Sequence, residues 1–252
     1  MEKVYKEIID FIVSSGKRIS KRAGNIEDIG IKNKYLTEED LNIERSIKKI
    51  IKKHNENHKL FAEEEHNSFP KCEDVWIADP ISGTSLFIQG MPHYAIVVAH
   101  TKCKAVKFAA VYDPTIDELF TAYLDKGAFL NGKPISISNT YEKEKIRVLY
   151  NLSGEWKDRK RGRGVFNELT KFKVYRVRQS FALNYCYVAC GRYDGVVALT
   201  KDAFPEIAGG FIIREAGGIF KNREGEDIIE PQDRIFVGGN KKVYELLKPV
   251  VE

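Results

Sequence analysis

The stretch Asp79-Pro-Ile-Ser-Gly-Thr84 combines residue types that phosphate chemistry needs, at a spacing that brings them together. An acid closes the apolar run Val75-Trp-Ile-Ala78, and Gly-Thr stands before the apolar Leu86-Phe87-Ile88. A strand that turns into a helix at such a corner aims free backbone N–H groups outward. Gly83 allows close backbone approach and Thr84 or Ser85 can cap or donate, so an anion, above all phosphate, is the natural guest. A carboxylate beside phosphate repels it unless a cation lies between them. The hard oxygens of Asp79, a main-chain carbonyl and a nearby Glu suit Mg²⁺, and such acids stand just past another short run, where Lys59-Leu-Phe-Ala62 ends in Glu63-Glu-Glu65. The expected site is metal plus phosphate, although the same spacing also describes an ordinary turn.

Positioning these residues requires a packed scaffold, and the composition provides for one. The chain has 252 residues, 43% of them hydrophobic and 31% charged, with a net charge of +5. That excludes a disordered chain, which lacks core formers. Apolar runs such as Tyr94 to Ala99 fall far short of the roughly 20 residues of a membrane span. The N-terminal Met1-Glu-Lys-Val-Tyr-Lys-Glu mixes acids and bases and reads as no signal peptide; a soluble, cytoplasmic protein is expected, with no membrane partner. Cys72, Cys103, Cys186 and Cys190 are too few for a disulfide framework and form no Cys-x-x-Cys pair. Most of the excess positive charge sits in Lys157-Asp-Arg-Lys-Arg-Gly-Arg163, read as a solvated, Gly-punctuated loop. No stacking aromatics accompany it, so nucleic acid is not an expected partner.

Hydrophobic spacing predicts an amphipathic first helix over 1–23 and, after the capping-box pattern Thr37-Glu-Glu-Asp40, a second helix to about His54. Strands over 59–62, 75–78, 94–100, 105–112 and 118–123 and the Asn131-Gly132 turn point to an antiparallel sheet. From Val148 onward strand and helix alternate, with helices after Gly164, over 180–190 and over 205–216, which is α/β in character. The charged Glu142-Lys-Glu-Lys145 marks a soft boundary between an N-terminal α+β part carrying the site (1–140) and a C-terminal α/β part (141–252), within one compact unit.

Ordered pieces of the chain resemble a known family. Glu64-Glu65, Trp76-Ile-Ala-Asp-Pro-Ile-Ser-Gly-Thr-Ser-Leu-Phe87 and Glu215-Ala-Gly-Gly218 are similar to the signatures of the inositol monophosphatase family of Mg²⁺-dependent phosphomonoesterases, a superfamily that includes fructose-1,6-bisphosphatase. Leu36 to Asp40, Val111 to Pro114, Glu118 to Ala122, Lys126 to Pro134 and Val188 to Gly195 agree in order. The resemblance implies a layered α-β-α-β-α sandwich, a homodimer, and a small phosphorylated molecule such as an inositol or sugar phosphate as substrate. It assigns Glu64, Asp79 and the Ile81 carbonyl to the first Mg²⁺. Thr84, with Glu64, would orient the attacking water, and the N–H groups of Gly83 and Thr84 would cradle phosphate. Asp40 falls near the metal waters, Glu65 in an outer shell, and Lys32 on a basic residue near the site.

The departures from that pattern bear on activity. Where the resemblance implies an Asp that binds a second metal, this chain has Ser82; where it implies the Asp of a Trp-Asp pair, it has Pro205 after Phe204; where it implies a Glu that holds a sugar hydroxyl, it has Ala198. Of three carboxylates around the second metal only Asp79 remains. Losing that electrostatic help costs on the order of several kcal/mol of transition-state stabilisation. Asp202 or Glu206 could substitute, though Pro205 restrains the backbone. Weakened or lost catalysis is the leading expectation. A non-catalytic phosphate-ligand-binding or scaffold protein and a phosphatase with an altered substrate, its pocket reshaped by Ser82, Phe181 and Ala198, are the alternatives. His66 is close in sequence to Glu64; the other histidines lack metal-binding spacing, and Trp156, Tyr185 and Tyr187 read as packing residues.

Overall fold

Alternation along single strands explains the layering. In the strand Ala95–Lys102 (β3), Ile96 and Val98 face one core while Ala95, Val97 and Ala99 face another, because successive side chains point to opposite faces. A sheet covered on both faces therefore reads as a continuous apolar run. The computed structural model describes residues 1–31, 35–62, 73–201, 203–227, 229–230 and 232–252.

The first sheet runs in chain order through β1 (Lys59–Ala62), β2 (Asp74–Ser82), β3, β4 (Ala105–Asp113), β5 (Glu118–Tyr123), β6 (Gly127–Leu130) and β7 (Lys133–Ile135). The second has the order β11 (Ile219–Asn222), β12 (Ile235–Gly239), β10 (Gly195–Leu199), β8 (Arg147–Leu152) and β9 (Lys173–Tyr175). Helices α1 (Glu2–Ile19) and α2 (Glu38–His54) cover the outer face of the first sheet with Ile8, Ile12, Ile43 and Ile47. Each such fully buried aliphatic side chain stabilises the fold by about 1.5–3 kcal/mol. Helices α5 (Phe181–Ala189) and α6 (Phe204–Glu215) fill the space between the sheets, and α4 (Arg159–Leu169) and α7 (Lys241–Val251) cover the outer face of the second. Ala182 to Ala189 are all buried, as a helix enclosed between two sheets requires. The layers are α-β-α-β-α, the sandwich that the resemblance implied. The short α3 (Thr84–Ile88) follows β2.

Some local expectations are corrected. The basic segment is not a loop: α4 begins at Arg159, where the Asp158 side chain caps it by accepting the Arg161 N–H at 2.9 Å. Arg and Lys are good helix formers, and Gly162 fits under the helix because Tyr150 donates its hydroxyl to the Gly162 carbonyl at 2.7 Å. The first sheet is not wholly antiparallel, since β1 pairs with β2 in parallel. Helix α7, absent from the sequence reading, carries Val243, Tyr244, Leu247 and Val251 on its buried face, a helical spacing that was there to be read. Cys186 and Cys190 are free thiols, the first buried, whereas Cys103 is disulfide-bonded. No described helix is long and apolar enough to cross a membrane.

Candidate active site

The corner after β2 is built by a break in strand register. Asp79 pairs with Val97, the ladder then shifts, and Ser82 pairs with Ala95, so β2 runs past the predicted end at Ala78 and delivers Asp79 to Ser82 at the sheet margin. Gly83 sits at φ 88° and ψ 38°, left-handed backbone in which a side chain is strained. Its carbonyl accepts the N–H groups of Leu86 at 2.8 Å and Phe87 at 3.2 Å. The earlier N–H groups of α3, on Thr84 and Ser85, have no carbonyl behind them within the helix, and both residues line a cleft of about 410 Å³. Helix α3 has only five residues, so what it offers an anion is these donors rather than a long helix dipole.

Asp40 reaches this corner from α2. Its Oδ2 accepts the Thr37 N–H at 2.8 Å and the Thr37 hydroxyl at 2.5 Å, closing the predicted capping box. Its Oδ1 is 3.4 Å from the Thr84 hydroxyl, which donates to the nearer Ile81 carbonyl at 2.7 Å. The cap therefore orients an acid toward the residue that the resemblance assigns to water positioning.

Asp79, 6% exposed, lines the cleft together with Ile81, Ser82 and Gly83. A carboxylate and a main-chain carbonyl on one wall are hard oxygen donors of the kind that fit Mg²⁺. The facing walls come from Ser180 and Phe181 at the start of α5, Thr200 and Lys201 after β10, and Pro205 and Glu206 at the start of α6. Ser180 donates its hydroxyl to that of Ser82 at 2.8 Å. Glu206, fully buried, accepts the Tyr185 hydroxyl at 2.8 Å, which gives Tyr185 a role beyond packing. Ala198 is buried in β10 beside Asn151 of β8.

The structure thus brings Asp40, Asp79, Ile81, Ser82, Gly83, Thr84 and Glu206 to one corner of the fold. Glu64, Glu65, Lys32, His66 and Asp202 lie outside the described residues. His58 and His100 sit at the opposite end of β2, on Asp74, and His93 contacts Asp113 at 3.0 Å. Among the described residues no group of three or more His, Cys, Asp or Glu side chains is placed to hold a metal ion, at this corner or elsewhere. Sequence reasoning missed Ser180, Thr200 and Lys201. The signal that could have found the last two is the one that found Asp79, polar residues just past a buried strand, where ligands gather in α/β sheets.

The sequence pattern of the inositol monophosphatase family matches residues 1–252. Inositol monophosphatase 1 of Solanum lycopersicum is 34% identical over 214 residues, 79% of this chain and 76% of that protein. The Nus factor SuhB of Pasteurella multocida is 28% identical over 250 residues, 92% of this chain and 93% of that protein. Among solved structures, an IMPase of Thermotoga maritima superposes with a TM-score of 0.86 at 26% identity, covering 100% of this chain and 97% of that one. A further neighbour of the same fold holds Mg²⁺ and phosphate, in keeping with a Mg²⁺-dependent family. A match along the whole chain and a superposition that retains both sheets together show that the protein belongs to the inositol monophosphatase family.

Proposed function

We propose that this protein is a Mg²⁺-dependent phosphomonoesterase of reduced rate that works with one metal position and acts on a small phosphorylated alcohol. The observation that supports the reduced rate is the lining of the cleft at Ser82 and Pro205. Ser82 spends its hydroxyl on Ser180, and Pro205, which lines the same cleft, has no side-chain donor. A second Mg²⁺ does not fit that lining, because it requires several oxygen ligands in near-octahedral order. The first position fits, with Asp79, the Ile81 carbonyl and, by family resemblance, Glu64 as ligands. Bound there, Mg²⁺ supplies Lewis-acid polarisation of phosphate and activation of water. The N–H groups of Gly83 and Thr84 hold the phosphate, and Thr84, backed by Asp40, orients the attacking water. Phe181 narrows the side that receives the alcohol.

The test is hydrolysis of a panel of phosphomonoesters with and without Mg²⁺ by the wild type, by the Ser82→Asp, Pro205→Asp double variant and by Asp79→Asn. We expect slow, Asp79-dependent turnover that the double variant accelerates about a hundredfold, the scale of one electrostatic partner in the transition state. Wild-type turnover of roughly 1 per second or more, the ordinary enzyme range, overturns the reduced rate. A second reading, a phosphate-ligand-binding or scaffold protein, draws support from the same lining and from a relative named as a Nus factor rather than as a phosphatase. Silence of the wild type on every ester, with phosphate still bound, would favour it.

A further inference from the structure

Lys201 is the one cationic side chain among the described residues that line the cleft. It stands just past β10, and its ammonium lies 3.6 Å from Oε1 of Glu155, also a cleft residue. The cleft otherwise carries the carboxylates of Asp79, Glu155 and Glu206. A site for a phosphate dianion lined by acids needs positive charge from somewhere. Arg176 and Arg178 line an adjoining depression that shares Gly83, Ser85, Gly154, Gln179 and Phe181 with the cleft but includes neither Asp79 nor Pro205, and both are engaged there, Arg178 donating to Gln89 at 2.6 Å and Arg176 lying over the Tyr150 ring.

The charge balance makes Lys201 informative. Where family resemblance implies acids that hold a second metal, this chain has the neutral Ser82 and Pro205, so the negative charge that would hold that ion is missing at both positions. A phosphate ester losing its alcohol still develops negative charge on the departing oxygen, and a cation placed beside that oxygen stabilises it. A lysine ammonium is a compact point charge on a flexible stem, able to leave a resting carboxylate partner for a phosphate. We propose that Lys201 takes the place of the second metal ion, contacting the phosphate and stabilising the alcohol oxygen as it leaves. This deepens the phosphomonoesterase reading and rests on it for the kinetic part. In the step, the oxygen of water bonds to phosphorus while the bond from phosphorus to the alcohol oxygen breaks, its electron pair staying on that oxygen. The water releases one proton, the alcohol oxygen takes one from solvent, and Lys201 stays protonated. The products are the alcohol and inorganic phosphate.

Two measurements on the full chain test this. In the first, inorganic phosphate is titrated calorimetrically in the presence of a chelator, so that no metal contributes. Lys201→Met is expected to weaken phosphate binding about tenfold, the scale of one charge-assisted hydrogen bond. Lys201→Arg should restore binding, and Glu155→Gln, which removes the negative charge 3.6 Å from the ammonium, should tighten it. In the second, kcat is compared for an alkyl phosphate and for nitrophenyl phosphate. Lys201→Met should lower kcat on the alkyl ester on the order of a hundredfold, and far less on the nitrophenyl ester, whose leaving group carries its own charge. Unchanged phosphate binding in Lys201→Met, or equal losses on both esters, overturns the proposal. A wild type that cleaves neither ester sinks the phosphomonoesterase reading instead, while the calorimetric arm still decides whether Lys201 contacts phosphate.

Discussion

Strand β2 carries an acid at each end, and the two ends have opposite fates. At its start, Asp74, part-buried, is engaged by neighbouring side chains. It accepts from Nε2 of His100 at 3.1 Å and pairs with Lys102 at 3.3 Å, while Tyr5 donates to Nδ1 of His100 at 2.8 Å and Trp76 donates to Nδ1 of His58 at 3.1 Å. Trp76, which can only donate, fixes His58 as the neutral Nε2–H tautomer; His100, kept neutral at pH 7 by burial, presents Nε2–H to the Asp74 carboxylate and so leaves Nδ1 to accept from Tyr5. Trp76 stacks on His100 at 4.7 Å, under α1. At the other end, Asp79 and Ser82 open on a cleft between the two sheets. The lesson is that an acid at a strand end becomes part of a site only where the layers part. Where a helix lies across the strand end, the same residue type is absorbed into the packing.

Exchanging the two acids for amides is the sharpest way to break this comparison. Asp79→Asn should lower Mg²⁺-dependent turnover on the order of a hundredfold or more, and leave the thermal transition nearly in place. Asp74→Asn should do the reverse, keeping turnover but losing about 1–3 kcal/mol of stability in denaturant unfolding. Equal loss of turnover in both would show that the two ends are not independent.

Acidification probes the Asp74 end of β2. Burial pushes the His100 pKa down to about 4 from its ordinary 6.5, against the opposing pull of Asp74. The unfolded chain therefore binds the extra proton first. Stability from this group is fully present above about pH 6.5, falls as the pH drops toward 4, and is lost below that, up to about 3 kcal/mol. Burial lowers the neighbouring His58 as well, so it acts in the same sense. Denaturant unfolding from pH 7 to 4 should show this decline, and a His100→Gln variant should flatten it. A decline of the same size in that variant would assign the effect elsewhere.

Smaller still is the effect of the cap that orients Asp40. Thr37→Ala removes one capping hydroxyl and should cost about 1 kcal/mol of stability. Because that hydroxyl also holds Asp40 near Thr84, turnover should fall by a few-fold without a change in substrate KM. A loss seen in KM alone would mean that Asp40 serves binding rather than water positioning.

Much of this was legible in the residues. The capping box at Thr37 to Asp40 is a local hydrogen-bond pattern and was read as such. The corner Asp79 to Thr84 could be read because acid, Gly and Thr each restrict a few backbone angles. Segment 157–163 was misread because Gly162 suggested a loop, while the structure places that glycine where α4 must approach Tyr150 and Leu152. Lys201 stands just past a buried strand, a local signal that marks a candidate but not which site it joins, and Ser180 has no local mark; both are far along the chain from Asp79.

The chain alone determined most of the strands, caps and turns, because local patterns and apolar periodicity specify them, and the ordered motifs pointed to the family whose resemblance implied the α-β-α-β-α layering. Tertiary structure decided which polar groups meet. It paired Ser82 with Ser180, turned Glu206 toward Tyr185, and put Lys201 among the residues that line the cleft with Asp79. Such pairings join residues far apart in the chain, and only the packing of one sheet against the other fixes the distances between them.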